Sequence, residues 1–298
     1  MMRRQIQTVK EIPMAKIIDG KKISSAEREL IAKETAKLAS HGVTPGLAVI
    51  IVGDDAASRV YVRNKHRACE EVGFYSEVIE LPEDTTEQRL IEEIDRLSAD
   101  EKIDGILVQL PVPPHIDAKK IIASIPPGKD VDAFTLENVG RIMTGDFAFL
   151  PCTPAGIMKM LEYEGIDVTG RECVVVGRSN IVGKPMAMLL LAANGTVTVC
   201  HRKTRDLAGV TRRADILVAA VKKPRFFTAD MVKEGAVVID VGINRCEDGK
   251  LCGDVDFDSV SKVASAITPV PGGVGPMTIT MLLHNTLRAA KIRAGVTD

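Results

Sequence analysis

The stretch TPVPGGVGPMT, residues 268–278, sets three prolines and three glycines close together and leads into a long, mainly apolar segment. Proline restricts φ and lacks an amide donor, whereas glycine tolerates positive φ and lets other groups approach the backbone closely. The stretch therefore predicts a rigid wall with few side chains, followed by a helix over about 277–294. Such a wall suits a flat ligand bound by backbone groups, although a stretch of this kind taken alone is more often an ordinary loop.

Upstream of this wall, short apolar runs alternate with longer amphipathic segments. In the first half of the chain the predicted strands are 47–53, 76–81 and 105–111, and the predicted helices lie near 56–73, 85–98 and 117–124. In the second half the predicted strands are 173–177, 196–200, 215–221 and 236–242. Their near-continuous apolar runs are typical of strands buried on both faces. This alternation predicts an α/β protein with two domains, each a parallel sheet covered by helices on both faces, which meet near Leu150 and Pro151.

The loop after the predicted strand at 173–177 has features of a nucleotide site. Gly177 ends the strand, Arg178 and Ser179 follow it, and Gly183 and Pro185 stand where a helix opens. A strand, a turn and a helix N-terminus in this order can bind a pyrophosphate. The spacing is not GxGxxG, so the loop taken alone fits an ordinary turn equally well.

The end of the next predicted strand indicates the cofactor. NAD-binding domains usually place an Asp or Glu there, which binds the ribose 2′-hydroxyl. In this chain the strand at 196–200 is followed by HRKT, residues 201–204, which contains no carboxylate. Together with Arg178, these cations favour a 2′-phosphate and therefore NADP, and the alternative is a solvated basic turn.

Tyr61 and Lys65 lie four residues apart on a predicted helix, so their side chains share one face. A lysine on a helix is usually only solvated. Here Arg63, His66 and Arg67 are close to Lys65 in the sequence, and like charges disfavour the ammonium form. The pattern predicts a lysine with a lowered pKa, as proton transfer near neutral pH requires.

Gln109 and Asp132 are further candidate site residues in the first half of the chain. Gln109 lies near the end of the predicted strand at 105–111, and ligands of open α/β sheets bind outside the carboxyl ends of the strands. Its amide could hold Lys65 or a water molecule, or it could satisfy the loop backbone. Asp132 lies in KDVDAF, residues 129–134, where Asp130 is expected to brace the loop.

The composition restricts the function classes. The chain has 298 residues, 45% hydrophobic and 27% charged, with a formal net charge of −1, which predicts a soluble globular protein without a nucleic-acid or membrane-surface role. Its six cysteines form no CxxC pair and no metal-ligand spacing, so we expect no metal and read them as reduced thiols of a cytosolic protein, with Cys152 packed rather than nucleophilic. Residues 1–13 are basic but lack the apolar core of a secretory signal, and no function is assigned to them.

Several motifs in a fixed order make the chain, from Met14 onward, resemble the bifunctional methylenetetrahydrofolate dehydrogenase/cyclohydrolase family. Besides PVPGGVGPMT, they are SRVYVRNK (58–65), VQLPVP (108–113), KDVDAF (129–134), PCTPAG (151–156), VVGRSNIVGKP (175–185) and VIDVGIN (238–244). The resemblance implies a homodimeric, cytoplasmic enzyme of one-carbon metabolism that serves purine, histidine and methionine biosynthesis. It would oxidise 5,10-methylenetetrahydrofolate with NADP⁺ and hydrolyse the methenyl product to 10-formyltetrahydrofolate.

The resemblance also implies a division of the chain and roles for single residues. Residues 1–150 and 277–298 would form the folate-binding catalytic domain, to which the final helix returns, and 151–276 a Rossmann-like NADP-binding domain. Lys65 would be the essential lysine, held by Gln109, while Tyr61 stacks on the folate and Asp132 binds donors of the pterin. The remaining predicted contacts are Gly177, Arg178, Ser179, Arg202, Thr204 and Ile243 for the cofactor, with Ile243 beside the nicotinamide, and Pro271, Gly272 and Gly273 for the folate.

Two residues depart from the family pattern, since Ala133 and Lys222 stand where the family usually has glycine. If Lys222 needs positive φ, the strain is about 1 kcal/mol or more, and a cyclohydrolase with weakened dehydrogenase activity is then an alternative. The lysine could instead add a cation for a phosphate. A non-catalytic dinucleotide-binding module is a further alternative, but it would have no use for Tyr61, Lys65, Gln109 and Asp132 together. An amino-acid or shikimate-type dehydrogenase would lack the PGGVGP wall.

Overall fold

The structure is a computed structural model that describes residues 14–246 and 249–296. The basic segment 1–13 lies outside the described residues. Within them, no helix combines the length and the apolar character that crossing a membrane requires.

The described residues form two parallel sheets and one small hairpin. The strands are β1 (Lys16–Ile17), β2 (Gly46–Val52), β3 (Tyr75–Leu81), β4 (Gly105–Val108), β5 (Glu172–Val176), β6 (Thr196–Cys200), β7 (Ile216–Ala219), β8 (Val237–Asp240), β9 (Asn244–Arg245), β10 (Leu251–Cys252) and β11 (Ala266–Ile267). The helices are α1 (Gly20–Ser40), α2 (Ala56–Val72), α3 (Glu87–Ala99), α4 (Ala118–Ser124), α5 (Leu136–Thr144), α6 (Cys152–Tyr163), α7 (Gly183–Ala192), α8 (Leu207–Thr211), α9 (Phe257–Val260) and α10 (Val274–Arg293), with a 3₁₀ turn at Ala229–Met231.

The smaller sheet has the strand order β3-β2-β4, and all its strands are parallel. Strand β2 is central and buried along its whole length. Its alternate residues face two apolar cores, one formed with α1, α2 and α10 and the other with α3 and α4. Helices therefore cover both faces of this sheet, as the sequence pattern predicted.

The larger sheet is also parallel and has the order β1-β11-β8-β7-β5-β6. Counted from β5, its strands run 2-1-3-4-5, so the winding reverses between β5 and β7. In open α/β sheets the ligand crevice lies at this reversal, outside the carboxyl ends of the strands. Strand β1 extends the far edge of the same sheet, so the first described segment belongs to the larger sheet before the chain enters α1.

Helix α10 lies between the two halves. It packs on α1 and α2 of the first half and on α6, which follows the junction near residue 150. Thr280 Oγ1 is 2.8 Å from Ser24 Oγ of α1, and Thr278 Oγ1 is 3.1 Å from Thr153 Oγ1 of α6. The final helix thus returns to the first half, as the resemblance implied, while the exact domain division stays a prediction.

Several element ends differ from the predicted ones, each for a local reason. Helix α10 begins at Val274 rather than near 277, because the first turn needs no intrahelical N–H donors and so accommodates Pro276. Strand β4 ends at Val108, ahead of Pro111, which has no amide to donate to a ladder. Helix α1 was not predicted, although the Asp19 carboxylate accepts hydrogen bonds from two amides of its first turn, as an N-cap does.

The expectation that all six cysteines are reduced thiols is wrong. Cys246 and Cys252 form a disulfide, with their Cα atoms 6.2 Å apart. The antiparallel pairing of β9 with β10 brings them together, since Cys252 lies opposite Asn244. No Cys-based motif marks this pair, because the hairpin rather than the spacing sets their distance. The other cysteines, Cys69, Cys152, Cys173 and Cys200, are free and buried.

Candidate active site

Lys65 and Gln109 meet at the carboxyl end of the smaller sheet. Lys65 projects from α2, and its Nζ donates a hydrogen bond to Gln109 Oε1 at 2.9 Å. Gln109 follows β4 directly, and its own amide donates to the Leu110 carbonyl at 2.7 Å. Because both groups of the Gln109 amide are engaged, its carbonyl is held towards the lysine. Tyr61 lies one turn before Lys65 on the same helix and is exposed.

The pKa of Lys65 is lowered, as predicted, but burial within the protein is the cause rather than the neighbouring cations. Burial of the ammonium group lowers it, while the negative charge of Asp132 acts in the opposite direction. The cationic neighbours in the sequence do not contribute, since Arg63 and Arg67 are exposed to solvent. The third neighbour, His66, has its Nδ1 2.9 Å from Ser76 Oγ.

Asp132 belongs to a loop that a buried carboxylate stabilises. Asp130 accepts hydrogen bonds from the Thr135 amide at 2.8 Å and from Asn138 Nδ2 at 2.9 Å, so its predicted bracing role is confirmed. Burial raises the pKa of Asp132, and the Lys65 ammonium partly offsets this effect. The structure thus brings a desolvated lysine and a desolvated carboxylate into electrostatic contact.

Cys152 and Asn285 hold this loop from the other side. The Cys152 thiol lies 3.5 Å from Asp132 Oδ1, and burial raises its pKa well above the usual range, so it is a protonated, packed thiol as expected. Asn285 of α10 donates to the carbonyls of Val131 at 2.7 Å and Leu150 at 2.8 Å. Helix α10 is thereby tied to the Asp132 loop and to the junction of the two halves. Asn285 was missed in the sequence, because a single Asn on an apolar helix carries no distinguishing signal.

The Pro/Gly wall lies at the N-terminus of α10 and against that of α1. Gly272 has φ of 108°, and its carbonyl accepts a hydrogen bond from the Lys21 amide at 3.2 Å. A Cβ atom on Gly20 would lie 1.8 Å from the Gly273 carbonyl oxygen, so the two backbones are in direct contact. Pro271 is exposed at the surface of this wall.

The crevice of the larger sheet is formed by close backbone contacts at the winding reversal. A Cβ atom on Gly177, after β5, would lie 2.6 Å from the Ala220 carbonyl oxygen after β7. A Cβ atom on Gly183, at the start of α7, would lie 2.2 Å from the Gly177 carbonyl oxygen. Two glycines six residues apart therefore perform the tasks that the GxGxxG pattern gives to its glycines, namely a tight turn and close helix packing.

Two exposed arginines flank this crevice. Arg178 follows β5 and Arg202 follows β6, and the two strand ends are joined by a hydrogen bond from the Gly177 amide to the Cys200 carbonyl at 2.9 Å. Thr204 fixes the turn after β6, since its Oγ1 accepts from the His201 amide at 2.9 Å. The arrangement suits a phosphate next to the dinucleotide crevice.

Ser179 and Ile243 occupy two further positions around the crevice. Ser179 Oγ accepts from the amides of Val182 at 3.2 Å and Gly183 at 3.3 Å, and so caps α7. Ile243 lies between β8 and β9 and is 53% exposed, although it is aliphatic. Both residues stand on segments at the carboxyl edge of the larger sheet, and their predicted contacts with the cofactor stay predictions.

Ala133 and Lys222, which stand where the family usually has glycine, both adopt a left-handed backbone conformation with φ of 57°. Glycine takes such a conformation without strain, which explains why a glycine is expected at each position. Hydrogen bonds hold the turns nevertheless. The Ala133 amide donates to the Asp130 carbonyl at 3.0 Å, and the Lys222 amide donates to Asp254 Oδ2 at 3.0 Å.

An apolar groove lies away from Lys65, between α5 and α7. Its volume is about 870 Å³. Aliphatic side chains line most of it, among them Leu136, Val139, Met143, Ile181, Met188 and Val199. Among the described residues no group of three or more His, Cys, Asp or Glu side chains is arranged to hold a metal ion.

Comparison with known proteins places this geometry in context. Residues 18–132 match the model of the catalytic domain of tetrahydrofolate dehydrogenase/cyclohydrolase, and residues 151–294 match the model of its NAD(P)-binding domain. The bifunctional protein FolD of Acetivibrio thermocellus is 60% identical over 280 residues, which cover 94% of this chain and 98% of the relative.

Two solved structures have the same architecture. The bifunctional FolD enzyme of Campylobacter jejuni superposes with a TM-score of 0.92 at 51% identity, covering 94% of this chain and 99% of that one. The FolD enzyme of Trypanosoma brucei, solved with NADP and an inhibitor, gives a TM-score of 0.90 at 40% identity and covers 95% of this chain and 99% of its own.

Proposed function

The chain belongs to the tetrahydrofolate dehydrogenase/cyclohydrolase family, and we propose how its residues divide the work of the two reactions. The protein is an NADP-dependent methylenetetrahydrofolate dehydrogenase and a methenyltetrahydrofolate cyclohydrolase. The observation that carries the assignment of residues is the hydrogen bond between Lys65 and Gln109 at the carboxyl end of the smaller sheet.

The folate is assigned to the space outside this sheet end. Tyr61 offers an exposed ring for stacking, and the Asp132 carboxylate offers acceptors to the N–H donors of the pterin. The Pro/Gly wall, with Pro271, Gly272 and Gly273, closes the site beside α10. A partly buried carboxylate favours a donor edge, because a ligand without donors would leave its oxygens unsatisfied.

The cofactor is assigned to the crevice between β5 and β7. Gly177 and Gly183 keep the crevice free of side chains, and Arg178, Ser179, Arg202 and Thr204 surround its phosphate side. NADP⁺ bound there would supply the acceptor for the hydride of the bridging carbon of the folate. Ile243 would cover one face of the nicotinamide ring, and the protein contributes by holding the two reactants in line.

Hydrolysis is assigned to Lys65. A water molecule attacks the methenyl carbon, and Lys65 accepts one of its two protons. As the bond between that carbon and N5 breaks, the Lys65 ammonium gives this proton to N5, and the hydroxyl proton leaves to solvent as the formyl C=O forms. Because burial lowers the pKa of Lys65, the neutral amine needed for this step is available closer to neutral pH than for an exposed lysine. Gln109 keeps the amine in place between the steps.

The alternative of a cyclohydrolase with weakened dehydrogenase activity rested on Ala133 and Lys222. Both residues adopt the left-handed conformation that a glycine would adopt, and hydrogen bonds hold both turns. No observation favours the alternative. A non-catalytic module is set aside by the family to which the chain belongs.

We also propose that two copies of the chain associate through the groove between α5 and α7. Leu136 is 87% exposed and Met143 is 70% exposed at its rim, and strand β6 beside it is an edge of the larger sheet as far as the chain is described. An apolar face and a free strand edge support a symmetric contact. Met143→Glu should convert the dimer to a monomer in sedimentation experiments, whereas Leu30→Glu on the exposed face of α1 should not.

A cytoplasmic location and a supply of one-carbon units to purine, histidine and methionine biosynthesis complete the proposal. The cytoplasmic location rests on the family resemblance alone. Six reduced cysteines would have supported it, but Cys246 and Cys252 form a disulfide. Cell fractionation with an antibody against the chain tests it.

The test of the function is turnover by the purified protein. Adding methylenetetrahydrofolate and NADP⁺ should give NADPH, with NAD⁺ used less well, and adding methenyltetrahydrofolate without cofactor should give the formyl product. Absence of both reactions would contradict the assignment. Hydrolysis without reduction of either cofactor would point back to the weakened dehydrogenase.

A further inference from the structure

The buried carboxylate of Asp254 organises a turn of the larger sheet. Its oxygens accept hydrogen bonds from three consecutive amides, those of Val221 at 2.6 Å, Lys222 at 3.0 Å and Lys223 at 2.8 Å. Amides that converge in this way form an anion-binding nest. In this protein the anion is supplied by the chain itself, and the side chain of Asp254 is inaccessible to solvent.

The same carboxylate binds a second segment. Asn244 Nδ2 donates to Asp254 Oδ1 at 2.9 Å, directly after Ile243. The backbone amide of Asp254 in turn donates to Asp240 Oδ1 at 2.9 Å, at the end of β8. Asp254 therefore joins the turn after β7 to the turn after β8.

Both turns face the dinucleotide crevice. Ala220, the residue before the nest, is in backbone contact with Gly177, and Ile243 is exposed at the carboxyl edge of the sheet. Lys222 has φ of 57° within the nest, a conformation that a residue with a side chain rarely takes without support. The hydrogen bonds to Asp254 supply that support, so the shape of the crevice depends on this carboxylate.

We propose that Asp254 is a positioning residue of the dehydrogenase reaction, which holds the turns after β7 and β8 in the shape that receives the nicotinamide cofactor. It acts through these turns, because its side chain is buried beneath them. The inference rests on the proposed function of the crevice, and it predicts a defect confined to the step that uses the cofactor.

The experiment compares Asp254→Asn with Asp258→Asn, an exposed aspartate in the neighbouring helix α9. Asn keeps the shape but presents an amide group to the donors of the nest, so the KM for NADP⁺ should rise about tenfold or more. Hydrolysis of methenyltetrahydrofolate, measured without cofactor, should stay within about twofold of the wild type, since Lys65 lies on the other sheet. Asp258→Asn should leave both activities unchanged.

A second substitution separates positioning from general damage. Glycine adopts the conformation of Lys222 without support, so Asp254→Asn combined with Lys222→Gly should recover a large part of the affinity for NADP⁺. If Asp254→Asn does not fold, Asn244→Ala removes a single donor and should raise the KM about threefold or more with hydrolysis intact.

The outcomes distinguish this inference from the proposed function. A wild-type protein that does not reduce NADP⁺ contradicts the proposed function. A wild-type protein that reduces it, with an unchanged KM for NADP⁺ in Asp254→Asn or in Asn244→Ala, overturns the inference alone. Equal loss of reduction and hydrolysis in soluble, folded Asp254→Asn, without recovery by Lys222→Gly, also overturns it.

Discussion

Lys65 Nζ donates a hydrogen bond to Gln109 Oε1 at 2.9 Å, across the gap between helix α2 and the end of strand β4. The two residues are 44 positions apart in the chain, and the parallel arrangement of β2 and β4 brings them together. A buried amine that donates to a neutral amide keeps its lowered pKa, because the partner adds no negative charge. A carboxylate in place of Gln109 would raise that pKa.

Lys65→Met should lower the rate of methenyltetrahydrofolate hydrolysis by about a hundredfold or more, the usual contribution of a group that transfers protons. The apolar side chain fills the same partly buried space, so the protein should remain folded. Initial rates of hydrolysis and the circular dichroism spectrum check the two parts. Lys33→Met, on an exposed face of α1, is the control, and full hydrolysis by Lys65→Met would sink the assigned role.

Asp240 should make the stability depend on pH. Burial raises its pKa from 3.8 to about 6, against three amides that lower it. The folded state therefore holds the proton more tightly than the unfolded state, and this contribution is lost as the pH rises from about 4 through 6. The corresponding loss in free energy of unfolding is about 3 kcal/mol.

Urea unfolding of the wild type and of Asp240→Asn at several pH values isolates Asp240 and its coupling to Asp254, because the titrating groups that do not interact with Asp240 cancel in the difference. The difference, wild type minus variant, should fall by about 3 kcal/mol between about pH 4 and pH 7. Parallel pH profiles for the two proteins would contradict the raised pKa.

Ala133→Gly and Lys222→Gly should each stabilise the protein by about 1 kcal/mol, since glycine relieves the strain of the left-handed conformation. The greater freedom of glycine in the unfolded state limits the gain. Midpoints of thermal unfolding measure it. Ala39→Gly in helix α1 is the matched control, and it should lower the midpoint of thermal unfolding. Destabilisation by all three substitutions would refute the strain argument.

Arg178→Ala should raise the KM for NADP⁺ about tenfold while changing that for NAD⁺ little, because the guanidinium is assigned to the 2′-phosphate. Steady-state kinetics with both cofactors measure the ratio. The control Lys262→Ala removes an exposed cation elsewhere in the second half. An equal rise in KM for NADP⁺ and NAD⁺ would contradict the assignment of Arg178 to the 2′-phosphate.

Reduction of the native protein should make Cys246, which is partly exposed, available for alkylation, whereas Cys252 is buried and should not react. The remaining thiols should stay unlabelled, since they are buried, and burial raises the pKa of Cys69 to about 12 and that of Cys173 to about 11. Peptide mass spectrometry after treatment with iodoacetamide, with and without dithiothreitol, makes the comparison. Labelling of Cys246 without the reductant would show that the disulfide is not formed.

The sequence by itself determined the α/β class, most strands and the glycine-rich crevice, and it predicted that Gln109 could hold Lys65. Apolar runs and turn residues act over a few neighbouring positions, so the pattern of strands and helices can be read along the chain. The motifs around Lys65, Gly177 and Gly272 are contiguous, and each carries its signal within about ten residues.

Only the tertiary structure decided which distant groups meet and what those contacts do. Burial, rather than the cationic neighbours, lowers the pKa of Lys65. Asn285 reaches the loop of Asp132, Asp254 supports the backbone of Lys222, and a hairpin pairs Cys246 with Cys252. Desolvation and hydrogen bonds between distant segments depend on the packing of whole elements, and no local pattern of residues encodes that packing.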